Sequence, residues 1–557
     1  MDDVMNQVSG GQLLVETLHK LGVDQLFSVS GGPINPVYDA CADGPVSLRH
    51  VRHEQAAAFM AEACYRATGQ AGVAVVTLGP GVTNTITPCV SAALAGVPML
   101  IVGGQAGRAV IDKGAGMSTD TWSVMKAATK WAARVMDVNR MPEYVAEAWR
   151  RAHAPTPGPV YLEIGTDVLY DEVSTEAAEQ LKDRWVRPVA RAANRPDDTS
   201  LAAAREVLQK SARTLVLVGD DAFHTSDREH VAEFVEGSGA AFAPLRLARG
   251  LLSDTHSRSI GPGYIPCNTV LQRALKEADA VVLLGHHWEF DLEFGSGIGE
   301  STQVIQVDPD HGRLARNGRV DVPVNASVGG FLAAIKPALS EIAASADDAW
   351  VKELAEAWLG HRSRTSAAAG QGEGLHPVTL VEAVAEAAPQ ETVFVTSHGN
   401  IDFWADETLT VDGAGSYLRS GQSGTLGAEI PYGVAAALAT GRPTIVFVGD
   451  GGVGYAPAEL DTAARYGAKV LVVVADDELW AAIALPQGRE YGRTTELGLP
   501  RRDWVAVAEG LGARARRADT ADEVRHAVKE LLDGEGPALL HVPIRAVESP
   551  YMTHISK

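Results

Sequence analysis

Between Thr444 and Trp480 the chain reads T-I-V-F-V-G-D-G-G-V-G-Y-A-P-A-E-L-D-T-A-A-R-Y-G-A-K-V-L-V-V-V-A-D-D-E-L-W, a glycine turn followed by a pair of carboxylates. Two chemistries compete for it. Gly449, Gly451 and Gly454 satisfy G-x-G-x-x-G, and Asp476 or Asp477 falls about where a ribose-binding acid belongs in a dinucleotide site. Asp450, however, stands between the first two glycines, where its charge would face a pyrophosphate. Only an intervening dication makes that favourable. With Mg2+ in that role, Asp450 is one ligand and Asp477, at the end of the next strand, is another.

The elements around this stretch form one βαβ unit. Thr444 to Val448 is a β-branched apolar run, which reads as a buried parallel strand. The helix after the turn has Pro457 near its first turn and should end near Gly467, and Lys469 to Ala475 is a second strand. G-D-G followed by a polar pair also matches the thiamine diphosphate (ThDP) motif. Three further stretches bear on that choice. R-H-E-Q places Glu54 on an alanine-rich helix, where flanking apolar residues argue for partial burial; a buried carboxylate can hydrogen-bond a heteroaromatic nitrogen such as N1′ of an aminopyrimidine. G-Q-S-G-T-L-G-A-E-I-P (421–431) offers Leu426 as the bulky residue beneath a V-shaped cofactor, with the Gly424 carbonyl and Leu426 N–H for the pyrimidine. T-S-H-G-N (396–400) follows a strand and offers His398, Gly399 and Asn400 to a diphosphate.

Length and composition set the frame for these motifs. A chain of 557 residues suggests three domains, and 46% apolar content is ample for their cores. Against 48 lysines and arginines stand 70 acidic residues, a net charge of −22, which argues against nucleic acid or an anionic membrane as partner. Cys41, Cys64, Cys89 and Cys267 show no metal or disulfide spacing and read as reduced thiols. With no signal peptide and no membrane-spanning run, a cytoplasmic protein is expected.

In chain order, a helix to about Leu21 and strands at Asp24–Ser30, Val46–Val51, Gly72–Leu78, Pro98–Gly103 and Val160–Glu163 outline an α/β domain over 8–175. G-P-G-V-T-N opens a helix after the third of these strands. Glu176 to Asp198 reads as a linker. A second α/β domain over 196–340 has strands from Thr214, at Ala280–Leu284 and at Gln303–Val307, and 343–375 reads as a second linker around a helix. The third domain covers 376–545. The last stretch, 546–557, reads as a mobile tail able to close as a lid.

Taken together, R-H-E-Q, G-P-G-V-T-N, G-T-L-G and G-D-G…D-D-E-L-W resemble the ThDP-dependent enzymes of the acetolactate synthase group, over nearly all of residues 10–545. The middle domain looks closest to the 2-hydroxyacyl-CoA lyase and oxalyl-CoA decarboxylase branch, on G-H-H-W-E-F-D-L-E-F-G (285–295), V-I-Q-V-D-P-D (304–310) and R-L-A-R-G-L-L-S-D (246–254). The resemblance implies three doubly wound parallel-sheet domains: pyrimidine-binding (PYR), central, and diphosphate-binding (PP). It implies ThDP and Mg2+ as cofactors and active sites shared by two subunits of a homodimer or homotetramer. Carried onto this sequence, the cofactor set is Gly31, Pro80, Asn84, His398, Gly399, Asn400, Gly424, Leu426, Gly449, Asp450, Gly451, Gly452 and Asp477. The metal set is Asp450, Asp477 and Leu479, and Glu54 is the catalytic acid at the pyrimidine. Glu490, in the segment after Trp480, is the candidate base for a substrate hydroxyl.

The implied reaction is cleavage of a 2-hydroxyacyl-CoA to an aldehyde or ketone and formyl-CoA. The alternatives are an acetolactate synthase-like carboligase, a 2-keto-acid or oxalyl-CoA decarboxylase, and a catalytically silent ThDP-fold binding protein. Gln105, Gly116, Met117, Arg249, His287, Asp308, Arg316 and Tyr551 are the candidate contacts for the CoA ester, or for ADP in the central domain. Three positions depart from the family: Asp477 where an asparagine is usual, His287 where CoA-using relatives tend to carry arginine, and 113–119, where an aromatic and a glutamine are replaced by Gly116 and Met117. The lost ring implies room for a fully substituted C2, as in 2-hydroxyisobutyryl-CoA.

Overall fold

The computed structural model describes residues 7–187, 194–224, 229–265, 267–370, 372–420 and 423–555, with side chains to Met552. Three parallel sheets account for its domains. In the first the strands lie in the order Ser47–His50, Gln25–Val29, Gly72–Val76, Met99–Gln105, Pro159–Gly165, Trp131–Val135. The second runs Ala241–Pro244, Thr214–Val218, Ala280–Leu284, Gln303–Asp308, Val322–Asn325. The third runs Tyr417–Arg419, Val393–Thr396, Thr444–Gly449, Val470–Asp476, Ala538–Pro543, Arg514–Arg517.

Counting strands by their rank along the chain, the first and third sheets share the order 2-1-3-4-6-5. Each therefore reverses direction between its first and third strands, and the crevice at the carboxyl ends there is where open α/β sheets bind ligands. The residues falling at that crevice are Ser30–Gly31 and Thr77–Gly81 in the first domain, and Ser397–Asn400 and Gly449–Gly452 in the third.

The central strands read directly from sequence because they are continuous buried runs: Val446, Phe447, Val472 and Val473 are wholly buried. Strands Trp131–Val135 and Val322–Asn325, not anticipated, lie at sheet edges. The first is half-buried and contains Arg134, the second contains Pro323, and neither gives an unbroken apolar run. Two stretches expected to lack structure are also ordered. Helix Thr175–Trp185 returns to the first domain, where Lys182 pairs with Glu16 and Lys20 with Asp183. The expected mobile tail instead carries a helix, Pro550–Ile555, with Tyr551 buried.

The first and third domains meet through helices Glu54–Thr68 and Glu429–Thr440, with Phe59 edge-on to Tyr432 at 6.0 Å. The Arg66 guanidinium lies 5.6 Å from the Tyr432 ring centre and pairs with Glu62 at 2.7 Å. At the edge of this contact the Arg52 N–H donates to Glu459 (3.1 Å) and the His50 N–H to the Tyr466 hydroxyl (2.7 Å).

Candidate active site

At the switch point of the third sheet is a cavity of about 190 Å3, lined by His398 to Asp402, Gly424, Leu426, Glu429, Gly449 to Gly452, Asp477 and Leu479 to Ile483 among others. It is smaller than the ~300–1,000 Å3 typical of whole-ligand pockets, so it suits the head of a ligand. A Cβ built on Gly449 meets nothing within 4 Å, whereas one on Gly451 falls 2.6 Å from the Trp480 ring. The turn thus carries one glycine that leaves room in the cavity and one that lets an indole pack against the backbone.

The electrostatics of this cavity favour a cation. Burial, then the charges of Asp477 and Asp476, push the Asp450 carboxyl up to about 8. Burial, then Asp476, pushes Asp477 up to about 7. Asp476 stays below the ordinary range despite burial, because His541 hydrogen-bonds it at 2.8 Å. A non-glycine residue with positive φ, Glu478 (φ 56°), makes the sharp turn that brings Asp477 and Leu479 to the cavity wall. Among the described residues no group of three His, Cys, Asp or Glu side chains is arranged to hold a metal. That does not conflict with Mg2+, which characteristically takes one or two carboxylates and completes its shell from phosphate oxygens and water. The donor set here, the Asp450 and Asp477 carboxylates beside an open glycine turn, fits a Mg2+-bound diphosphate.

His398 is kept neutral by burial and by Arg419 and Arg66, and it bonds the Ser420 hydroxyl at 3.0 Å. Gly424 takes φ +63° with open space beside it, and Leu426 is half-buried at the cavity wall. The site includes three residues that were not singled out from sequence. Trp480 packs on the glycine turn, and two buried carboxyls, Asp402 and Glu429, lie in the cavity wall. An acid inside a glycine-rich stretch or an apolar helix start has no periodic signature. Only its burial distinguishes it.

The equivalent crevice of the first domain gathers a second set. Glu54 is the first residue of its helix, and its Oε2 accepts from Asn84 Nδ2 at 2.9 Å. A Cβ on Gly81 would lie 3.7 Å from Glu54 Oε1, and one on Gly31 would strike Thr77 at 2.5 Å, so both glycines keep this crevice open. Pro80 is exposed beside them. The carbonyl of Met117 lies 2.3 Å from where a Gly79 Cβ would sit, which brings the 113–119 segment against this turn. Met117 itself is 57% exposed, and a Cβ on Gly116 would meet open space. None of these first-domain residues lines the third-domain cavity of the same chain.

Several expected ligand contacts are engaged elsewhere. Glu490 shares the helical stripe of Ile483 but lies about 10 Å further along the axis, exposed and outside the cavity. Gln105 is buried and spends its amide on Thr119 O (3.1 Å), Thr121 Oγ1 (3.3 Å) and the Ala106 N–H (2.8 Å). Arg249 is 1% exposed; its guanidinium bonds Asp254 and the carbonyls of Asp406 (2.8 Å) and Leu409 (2.9 Å), tying the central to the third domain. The Asn400 amide lines the cavity but holds the C-terminal segment, donating to Val547 O at 2.7 Å and accepting from the Ser549 N–H at 3.1 Å. Tyr551 stacks on Phe403 at 4.3 Å and reaches Asp291 at 3.3 Å, a contact between domains rather than an open lid. In the central domain His287 bonds Arg313 at 3.0 Å, Asp308 is wholly buried 3.4 Å from the same guanidinium, and Arg316 is exposed nearby.

Fold and site together define a three-domain α/β protein with a ligand crevice at the switch point of its first and of its third sheet. The chain matches the thiamine pyrophosphate enzyme models for the N-terminal TPP binding domain (residues 8–125), the central domain (201–335) and the C-terminal TPP binding domain (397–542). It belongs to the thiamine pyrophosphate enzymes, thiamine pyrophosphate being another name for ThDP. It is 29% identical to 2-hydroxyacyl-CoA lyase 2 of Homo sapiens, covering 91% of this chain and 84% of the relative. It is 27% identical to the Danio rerio protein of the same name, covering 96% and 91%. To an acetolactate synthase of Bacillus subtilis it is 26% identical, covering 96% and 93%. Among the described residues no helix is long and apolar enough to cross a membrane.

Proposed function

We propose that this chain is a ThDP- and Mg2+-dependent carbon–carbon lyase that cleaves a 2-hydroxyacyl-CoA, including the branched 2-hydroxyisobutyryl-CoA, to a ketone or aldehyde and formyl-CoA. Bound ThDP supplies the electron sink that such a bond cleavage requires. The chain's part is to hold and orient. Asp450, Asp477 and the Leu479 carbonyl hold Mg2+ on the diphosphate, and the backbone of Gly449 to Gly452 lines its cradle. Leu426 supports the bend of the cofactor, and Glu54, fixed by Asn84, holds a proton at the pyrimidine. Glu490, exposed on the helix that brings Ile483 to the cavity, is the candidate base for the substrate hydroxyl.

The observation that supports a branched substrate is the open wall at Gly116 and exposed Met117, seated on the Gly79 turn beside Glu54 and Asn84. An extra methyl in a matched pocket is worth about 1–3 kcal/mol, roughly 10- to 200-fold. The test compares kcat/KM for 2-hydroxyisobutyryl-CoA, lactoyl-CoA and a long straight-chain 2-hydroxyacyl-CoA. The branched ester ranking last defeats the substrate assignment. The second reading, a carboligase acting on 2-keto acids, is favoured by the similarity to acetolactate synthases at comparable identity. A thermal shift with ThDP and Mg2+ but none with CoA selects it.

In this proposal each active site forms between two subunits, since Glu54 and the cavity are separate within one chain. Glu54→Gln and Asp450→Ala, each inactive alone, should on mixing restore about a quarter of wild-type activity, as random pairing regenerates one intact site per mixed dimer. No restoration places both halves within one chain.

A further inference from the structure

Glu429 has no role in the scheme above, yet it is the most unusual group in the cavity wall. It is 1% exposed, in the first turn of helix Glu429–Thr440. Its Oε2 accepts the Gly427 N–H at 2.7 Å, while no hydrogen bond reaches Oε1. The nearby Ser397 hydroxyl, which acts to lower Glu429, is already engaged by Thr425 O and Ser420 Oγ, each at 2.9 Å. That free oxygen faces the diphosphate turn, 3.6 Å from where a Gly452 Cβ would sit. A buried carboxylate oxygen without a partner is costly, and beside a diphosphate it would be repulsive. A protonated oxygen in the same place donates a hydrogen bond to a phosphate oxygen.

The surroundings decide where the proton resides. Burial raises both Glu429 and Asp402, the latter on helix Asn400–Thr408, and the charge of Glu429 raises Asp402 further. Both Asp402 oxygens are already acceptors, from the N–H groups of Ser397 (2.8 Å) and Gly399 (2.7 Å), so the proton falls to Glu429 Oε1. The other charged and titratable groups nearby are accounted for. Arg419 is paired with Asp406 at 3.1 Å and His398 is kept neutral. Arg66 is committed to Glu62, and Asp450 and Asp477 face the metal position.

We infer that Glu429 is a protonated hydrogen-bond donor to the bound diphosphate, so that cofactor binding retains or takes up a proton at this residue. This rests on the ThDP reading of the cavity. Glu429 adds a pH dependence opposite in sign to that of the metal carboxylates, which lose protons to Mg2+. As pH rises past neutrality the Glu429 contribution weakens cofactor binding, because the free site ionises and must be reprotonated.

The test measures ThDP dissociation constants at saturating Mg2+ between about pH 6 and 9, by quenching of tryptophan fluorescence, for the wild-type chain and Glu429→Gln. The amide keeps a donor but cannot ionise. The ratio of wild-type to variant dissociation constants should be flat below about pH 7 and rise by up to tenfold per pH unit above it, the slope of one linked proton. Glu429→Met, apolar and of similar length, gives the same comparison if the amide disturbs folding. A ratio independent of pH for both variants overturns the inference while leaving ThDP binding intact. Absence of ThDP binding by the wild-type chain at every pH overturns the cofactor reading with it.

Discussion

Replacing Gly449 by alanine separates binding from folding. The residue has φ −76° and ψ 163°, values open to any L-residue, so the substitution introduces no backbone strain. Its Cβ would enter space with no atom within 4 Å, so nothing in the fold is displaced. Restricting the unfolded chain should by itself stabilise the apo-protein by about 0.4–1 kcal/mol. The same methyl occupies the diphosphate cradle, and displacing one charge-assisted hydrogen bond costs about 1.5–3 kcal/mol, roughly 10- to 150-fold in ThDP affinity. Gly451→Ala should behave oppositely. Its Cβ would meet Trp480 at 2.6 Å, so ring or backbone must move, at about 1–3 kcal/mol of stability. Calorimetric titration with ThDP and Mg2+, paired with melting of the apo-proteins, reads both quantities. If Gly449→Ala binds ThDP as tightly as wild type, the glycine turn is not the diphosphate cradle.

Asp450→Ala should abolish Mg2+-dependent ThDP binding while leaving the apo-protein folded; undiminished affinity would return the dinucleotide reading to contention. Asp450 and Asp477 hold their protons to about pH 8 and 7 in the folded apo-protein, against about 4 in the unfolded chain. The folded state therefore binds more protons across that window. Their stabilising contribution is fully present below about pH 4 and lost as pH rises through 7 to 8. Melting in EDTA should show this decline, and Mg2+ with ThDP should flatten it; equal slopes in both conditions would refute the cation site. Arg249→Met strands the buried Asp254 carboxylate and should cost about 3–5 kcal/mol of stability, with CoA-ester affinity unchanged in the folded fraction. A selective loss of affinity at unchanged melting temperature would instead make it a ligand contact.

The sequence by itself determined the class of fold, the family, and the glycine turn and acids that line the third-domain cavity. Parallel strands buried on both faces must be continuous apolar runs, and Thr444–Gly449 and Val470–Asp476 are such runs. The turns at their ends carry glycine and an acid at fixed local spacing, so that Asp450 and Asp477, which line the cavity, are legible without any long-range contact. Edge strands such as Trp131–Val135 escape this rule because only part of their surface is covered.

What tertiary structure alone decided is which long polar side chains remain available to a ligand. Arg249 is consumed by carbonyls of Asp406 and Leu409, Tyr551 by Phe403 and Asp291, and Asn400 by the backbone around Val547. Each partner lies far away in the chain, so no local pattern announces it. Glu429 enters the cavity wall because its helix start packs against the Gly449–Gly452 turn. A charged side chain's role is set by what desolvates and pairs it, and those neighbours come from other elements of the fold.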